Sequence, residues 1–129
     1  MGDSYNLSGD FRGAILNIKS TLRNVQQSIG EIPTADEAAK QELHRLIEEL
    51  NQALEQVPPE KEEDAEAVAQ TAEALVESAK AEKPNKTMIQ ITGEGLKQAA
   101  KNLAEVTPAV LSIASQIVLT VIKIAGQVK

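Results

Sequence analysis

The sequence predicts an all-α protein, a four- to five-helix antiparallel bundle, and three observations carry that expectation. Apolar residues recur at spacings of three and four through most of the chain, and proline or glycine falls at the breaks between such stretches. Aromatic residues make up only 2% of the 129 residues, and there is no cysteine. The spacing defines helical faces, and the breaks mark their ends. The scarcity of aromatics means that Leu, Ile, Val and Ala must build the core, which suits helices packed closely side by side.

The first thirteen residues hold Gly2, Gly9 and Gly13 with Asn6, Ser8 and Asp10, and are expected to form a flexible, turn-rich arm. The rest, 14–129, is expected to be one helical domain with helices near 14–29, 35–57, 60–82, 88–106 and 108–127. In the first helix, Ile15, Ile18, Leu22, Val25 and Ile29 form a single seam, and Gly30 is read as its C-terminal cap before Pro33. Thr34-Ala35-Asp36-Glu37 reads as a capping box that opens the second helix. Leu43, Leu46, Leu50, Ala53 and Val57 are its seam, and Pro58-Pro59 ends it by removing backbone donors. The acids from Glu60 to Asp64 complement the dipole at the start of the third helix. Its seam is Ala65, Val68, Ala72, Leu75 and Ala79, and Pro84 stops it. The short Pro58-Pro59 connection predicts that helices two and three form an antiparallel hairpin.

Beyond Pro84 one register runs through Ile89, Leu96, Ala99, Leu103, Val106, Val110, Ile113, Ile117 and Ile124. It passes Pro108 without a slip, so the last helix is expected to continue from the preceding one or to kink at Pro108 rather than to reverse. Gly93 and Gly95 weaken the start of that stretch.

Charge is uneven. Residues 31–79 hold fourteen acids against Lys40, Arg45 and Lys61, whereas residues 80–129 hold seven lysines against three acids. An acidic middle repels a phosphate backbone, so no nucleic acid is expected as a partner. Without cysteine, disulfides, zinc-thiolate sites and thiolate catalysis are excluded. Met1 to Asn6 has neither the basic nor the apolar region of a secretory signal, so a cytoplasmic setting is expected.

The candidate chemical motifs are weak. Gly13 to Ser20 is one residue from a phosphate-cradling loop, but Ile18 stands where that loop needs glycine, and Ile18 belongs to the helix seam. His44 is the lone histidine and sits one helical turn before Glu48, a poor pair for a metal on a solvated face. No nucleophile–base pair and no acid–base constellation can be assembled. The expectation is therefore no enzyme, no catalytic residues, no metal, no cofactor and no small-molecule substrate.

The stretch Tyr5 to Leu22, YNLSGDFRGAILNIKSTL, resembles a segment of uncharacterised cyanobacterial helical proteins, some of them linked to multidomain signalling or conflict systems. Within it, Gly9-Asp10-Phe11-Arg12-Gly13 looks like a single pentapeptide-repeat unit. A solenoid needs many such units, so the repeat fold is not implied. The resemblance covers under a fifth of the chain and implies no active site; it implies a signalling or cell-death role in a bacterial setting.

The sharpest feature is the last helix. Seventeen residues without charge separate Glu105 from Lys123, and their apolar side chains occupy more than one face. Burial at the centre of the bundle is the first explanation, a subunit contact the second and a membrane the third. At 1.5 Å per residue, seventeen residues span about 25 Å, short of the ~30 Å hydrocarbon core. The expected function is a helical interaction or regulatory module that associates with itself or another helical protein. Its expected contact face is Val110, Ile113, Ile117, Val121 and Ile124. The alternative is a conditionally membrane-inserting effector of the cell-death or pore-forming type, with peripheral or conditional membrane association through this same helix.

Overall fold

In a computed structural model of the chain, residues 2–33, 35–80 and 84–126 are described, with side chains described from Leu16 onward. The element order is α1 (Gly2–Gly30), α2 (Glu37–Leu54), a 3-10 turn (Pro59–Lys61), α3 (Glu62–Ala79), α4 (Lys86–Lys101) and α5 (Pro108–Gly126). The first thirteen residues, read from the sequence as turn-rich, are drawn into α1, whose backbone is helical from Gly2. No proline interrupts the chain before Pro33. Once the seam from Ile18 to Ile29 has paid for nucleation, each glycine upstream costs only about 1 kcal/mol of propagation.

The helix ends differ in detail from the sequence reading. Gly30 does not take a left-handed conformation, since no described glycine has positive φ. Instead the last turn of α1 tightens, with Glu31 N–H donating to Ser28 O and Ile32 N–H to Ile29 O. Lys40 Nζ donates to Gly30 O at 3.0 Å, setting a cation on the negative end of the helix. The N-cap of α2 is Asp36, whose side chain accepts from Ala39 N–H at 2.8 Å. Asp is the stronger of the two cap residues in this segment, and it moves the start two residues past the expected capping box; Thr34 lies outside the described residues. Asn85 caps α4 by accepting from Met88 N–H, so α4 starts ahead of Gly93 and Gly95.

The helices pack in the cyclic order α1, α3, α4, α5, α2, with α3 and α5 also touching across the middle. Two expectations are corrected by this order. Helices α2 and α3 are consecutive and antiparallel but are not packed along each other, because α1 lies between them. Gln26 of α1 bonds to His44 of α2, whereas Ser28 of α1 bonds to Glu77 of α3. The second correction concerns Pro108. The chain reverses between α4 and α5, which then run side by side: a Cβ placed at Gly93 would lie 3.0 Å from Val118. The reversal is built from 3-10 bonds, in which Asn102, Leu103 and Ala104 N–H donate to Ala99, Ala100 and Lys101 O, and is closed by Thr107 N–H donating to Leu103 O at 2.7 Å. A preserved heptad phase says which face is apolar but not which way the next helix travels, so it was compatible with a turn.

Around the ring, one neighbouring pair runs parallel. Ser28 lies against Glu77, and Asn17 and Ile18 lie beside Glu66 and Ala69, so α1 and α3 point the same way. The core is a single cluster fed by all five helices, including Val25, Ile29, Leu43, Leu50, Leu75, Leu96, Leu103 and Ile117. Alanines line the α3 seam at 65, 69, 72 and 79, and their small volume brings α3 close to α1 and α4.

Candidate interaction surface

Helix α5 turns Val110, Ile113, Ala114, Ile117, Val118, Val121, Ile124 and Ala125 into the bundle. All five residues expected to form a contact face are therefore in the chain's own core: Val110, Ile117, Val121 and Ile124 are wholly covered, and Ile113 nearly so. The face left to solvent carries Ser112, Gln116, Leu119, Ile122 and Lys123. Leu119 is 64% exposed and Ile122 43%. The sequence reading missed both residues as a surface feature. Their signal was the surplus of apolar side chains beyond one stripe, which could not say which side would remain outside.

Two grooves border this exposed stripe. On the α4 side, Lys86, Ile89 and Gln90 meet Ile122, Ala125 and Gly126 around a space of about 200 Å³. On the α2 side, Asp36, Ala38, Ala39 and Glu42 meet Thr120, Lys123 and Ile124 around a space of about 390 Å³. The α2 flank continues through Arg45, which bonds to both Glu42 and Glu49. Those neighbouring carboxylates, first of all the hydrogen bond that Arg45 donates to Glu42, raise the Arg45 pKa above its usual value.

Of the other motifs, Ile18 is buried in α1, as a seam residue is, with Lys19 paired to Glu55 of the α2 C-terminus at 3.3 Å. His44 is latched to α1: its ring Nδ1 lies against Gln26 Oε1, and Gln26 Nε2 donates to the His44 carbonyl at 3.2 Å. The pair joins α1 to α2 and brings no carboxylate or hydroxyl to the imidazole. Among the described residues, no three His, Asp or Glu side chains converge as metal ligands would. A polar cleft of about 210 Å³ between α1 and α3 is lined by Asn17, Ser20, Thr21, Asn24, Glu66 and Gln70. It offers amides and hydroxyls, with Glu66 as its one carboxylate among the lining residues.

Among the described residues, the one long apolar segment is again α5. Its 19 residues from Pro108 to Gly126 meet the length and composition of a membrane-crossing helix, and a little under half of its apolar window is buried in the bundle. No protein-family model matches this chain, and no curated protein or solved structure matches it.

Proposed function

We propose that the protein is a non-enzymatic helical interaction module that associates with a second copy of itself through the outward face of α5, in a signalling or regulatory role. The observation that carries this reading is the pair Leu119 and Ile122, two large apolar residues left exposed on a helix with no acidic side chain. Their full burial would contribute roughly 1.5–3 kcal/mol per side chain. Part of each is already covered, and association carries its own entropic cost, so the expected dimer is weak and concentration-dependent. Ser112 and Gly126 on the same face are small enough to let a second helix approach.

Sedimentation equilibrium of the whole chain tests the reading, with Leu119→Glu as the variant. The expected result is a wild-type dimer at tens of micromolar, as marginal burial implies, and a monomeric variant with unchanged helicity. A wild-type chain that stays monomeric throughout that range overturns the reading.

A second reading rests on the length and composition of α5. Released from the bundle, its 19 residues would extend about 28 Å at 1.5 Å per residue, close to the hydrocarbon thickness. On this reading the bundle stores α5 and gives it up to a bilayer. Dye release from anionic vesicles by the intact chain, at neutral and at acid pH, distinguishes it; no release at either pH discards it.

A further inference from the structure

The two flanks of the exposed α5 stripe carry opposite charge. On α4, Lys86, Lys97 and Lys101 recur on one side of the helix at intervals of eleven and four residues, interrupted by Glu94. Lys86 borders the groove beside Ile122, which fixes this row on the α5 side. On α2, Glu42 and Glu49 line the opposite side together with Asp36 at the helix start, interrupted by Arg45. Thus three lysines against one carboxylate on α4 stand across α5 from three carboxylates against one arginine on α2, with Lys123 of α5 bordering the acidic side and Leu119 on the stripe between them.

The lysines of the α4–α5 hairpin also differ from those elsewhere. Lys19, Lys61 and Lys80 each sit within 4 Å of a carboxylate, and Lys40 bonds to a helix-end carbonyl. Among the described residues, Lys86, Lys97, Lys101 and Lys123 make no such pair.

We infer that the second copy docks with its two-fold axis parallel to α5, so that the lysine row of α4 in one chain meets the acidic row of α2 in the other. A rotation about that axis exchanges left and right across the stripe while leaving heights along it unchanged. It therefore places basic against acidic on both sides and packs Leu119 against the partner's stripe. A two-fold axis perpendicular to α5 would instead set lysine row against lysine row.

The heights agree with the parallel axis. Gly93 lies level with Val118, so Lys97, one turn further along α4, lies level with Ala114. Glu42 and Thr120 border the same groove, so Glu49, two turns along the antiparallel α2, lies within about one turn of Ile113. Lys97 of one chain thus meets the partner's Glu49, and Lys86 the partner's Asp36. Within one chain the two partners of each pair are on opposite sides of α5 and cannot meet.

This geometry rests on self-association through α5, and its test is built to fail separately from that reading. Sedimentation equilibrium is run on the intact chain, on Lys97→Glu, on Glu49→Lys and on the double variant carrying both. Each single change converts two attractive contacts into repulsive ones and is expected to weaken the dimer about tenfold at low salt. The double variant restores both contacts with reversed sign and is expected to recover most of the wild-type affinity. Circular dichroism checks that each variant keeps its helices, since Lys97 and Glu49 are half-buried and Glu49 also pairs with Arg45. A monomeric wild type overturns self-association and the geometry with it. A wild-type dimer that ignores both single changes, or that the double variant does not rescue, overturns the geometry alone.

Discussion

Gly93 and Gly95 stand two residues apart on α4 and face different neighbours. A methyl at Gly95 would meet Thr71 Cγ2 at 3.9 Å, ordinary contact, whereas one at Gly93 would meet Val118 Cγ1 at 3.0 Å. Gly95→Ala is therefore expected to stabilise the protein by about 0.5–1 kcal/mol through helix propensity. Gly93→Ala should lose that gain against the stiff, branched Val118. Urea denaturation of both variants, with Gly93→Ala/Val118→Ala as the relieving pair, reads the difference. Thr107 is 8% exposed, and among the described residues its hydroxyl has no partner. Thr107→Val keeps its shape and removes that unmet group, so a gain of about 1 kcal/mol is expected in the same assay. Titration acts at the α1–α3 contact. The Ser28 hydroxyl donates to Glu77 at 2.7 Å and, with Lys80 beside it, holds the Glu77 carboxyl below its ordinary pKa. A lowered carboxyl pKa adds stability above the ordinary carboxylate value, and that stability is lost as pH falls through the lowered one. Glu77 is half exposed, so the amount is under about 1 kcal/mol after solvent screening. Ser28→Ala should flatten this acid-side slope in melts followed from neutral to low pH. Lys80, raised by its hydrogen bond to Glu31, acts in the opposite direction. Its contribution is complete below the ordinary lysine pKa and fades as pH rises through the raised one.

Among the elements, α5 separates what its sequence could say from what only packing decides. Its existence, its start at Pro108 and its depth in the core were legible, because a charge-free run bounded by Pro and Lys has few other uses. Which side stayed outside was not. A helix with apolar residues on more than one face has no polar stripe to mark solvent, so the seam of Ile113, Ile117 and Ile124 competed with Leu119 and Ile122 on equal terms. Neighbours broke the tie: Gly93 admits Val118, and the antiparallel α2 covers Ile124. The reversal before Pro108 escaped notice for a related reason, since a short 3-10 turn preserves heptad phase as well as a straight helix does. The consequence is measurable. Ile117→Ala is expected to cost about 2–5 kcal/mol of folding stability, as a large-to-small core change does. Leu119→Ala should change monomer stability by under about 0.5 kcal/mol, as surface changes usually do. Chemical denaturation at low protein concentration separates them, and equal losses at the two positions would contradict the placement of α5.

At the scale of the molecule, the charge asymmetry read from the sequence takes a spatial form. The acids of residues 31–79 and the lysines of residues 80–129 become, beside α5, two opposed rows on α2 and α4. If those rows join two copies, the melting temperature should rise with protein concentration and fall with added salt. Differential scanning calorimetry across a concentration series reads both trends, and a melting temperature indifferent to concentration would argue for a monomer. The cyclic order of the helices has a further consequence, in the timing of synthesis. Of the five helices, α5 leaves the ribosome after the others, yet it is the wall between α4 and α2, and α2 was made some seventy residues earlier. Until α5 emerges, the nascent chain holds α2 against α1 alone, with the Leu43, Leu46 and Leu50 seam short of its main neighbour. The bundle therefore closes only once α5 has emerged, and a ribosome stalled near Pro108 would carry an open helical sheet that chaperones can still grasp.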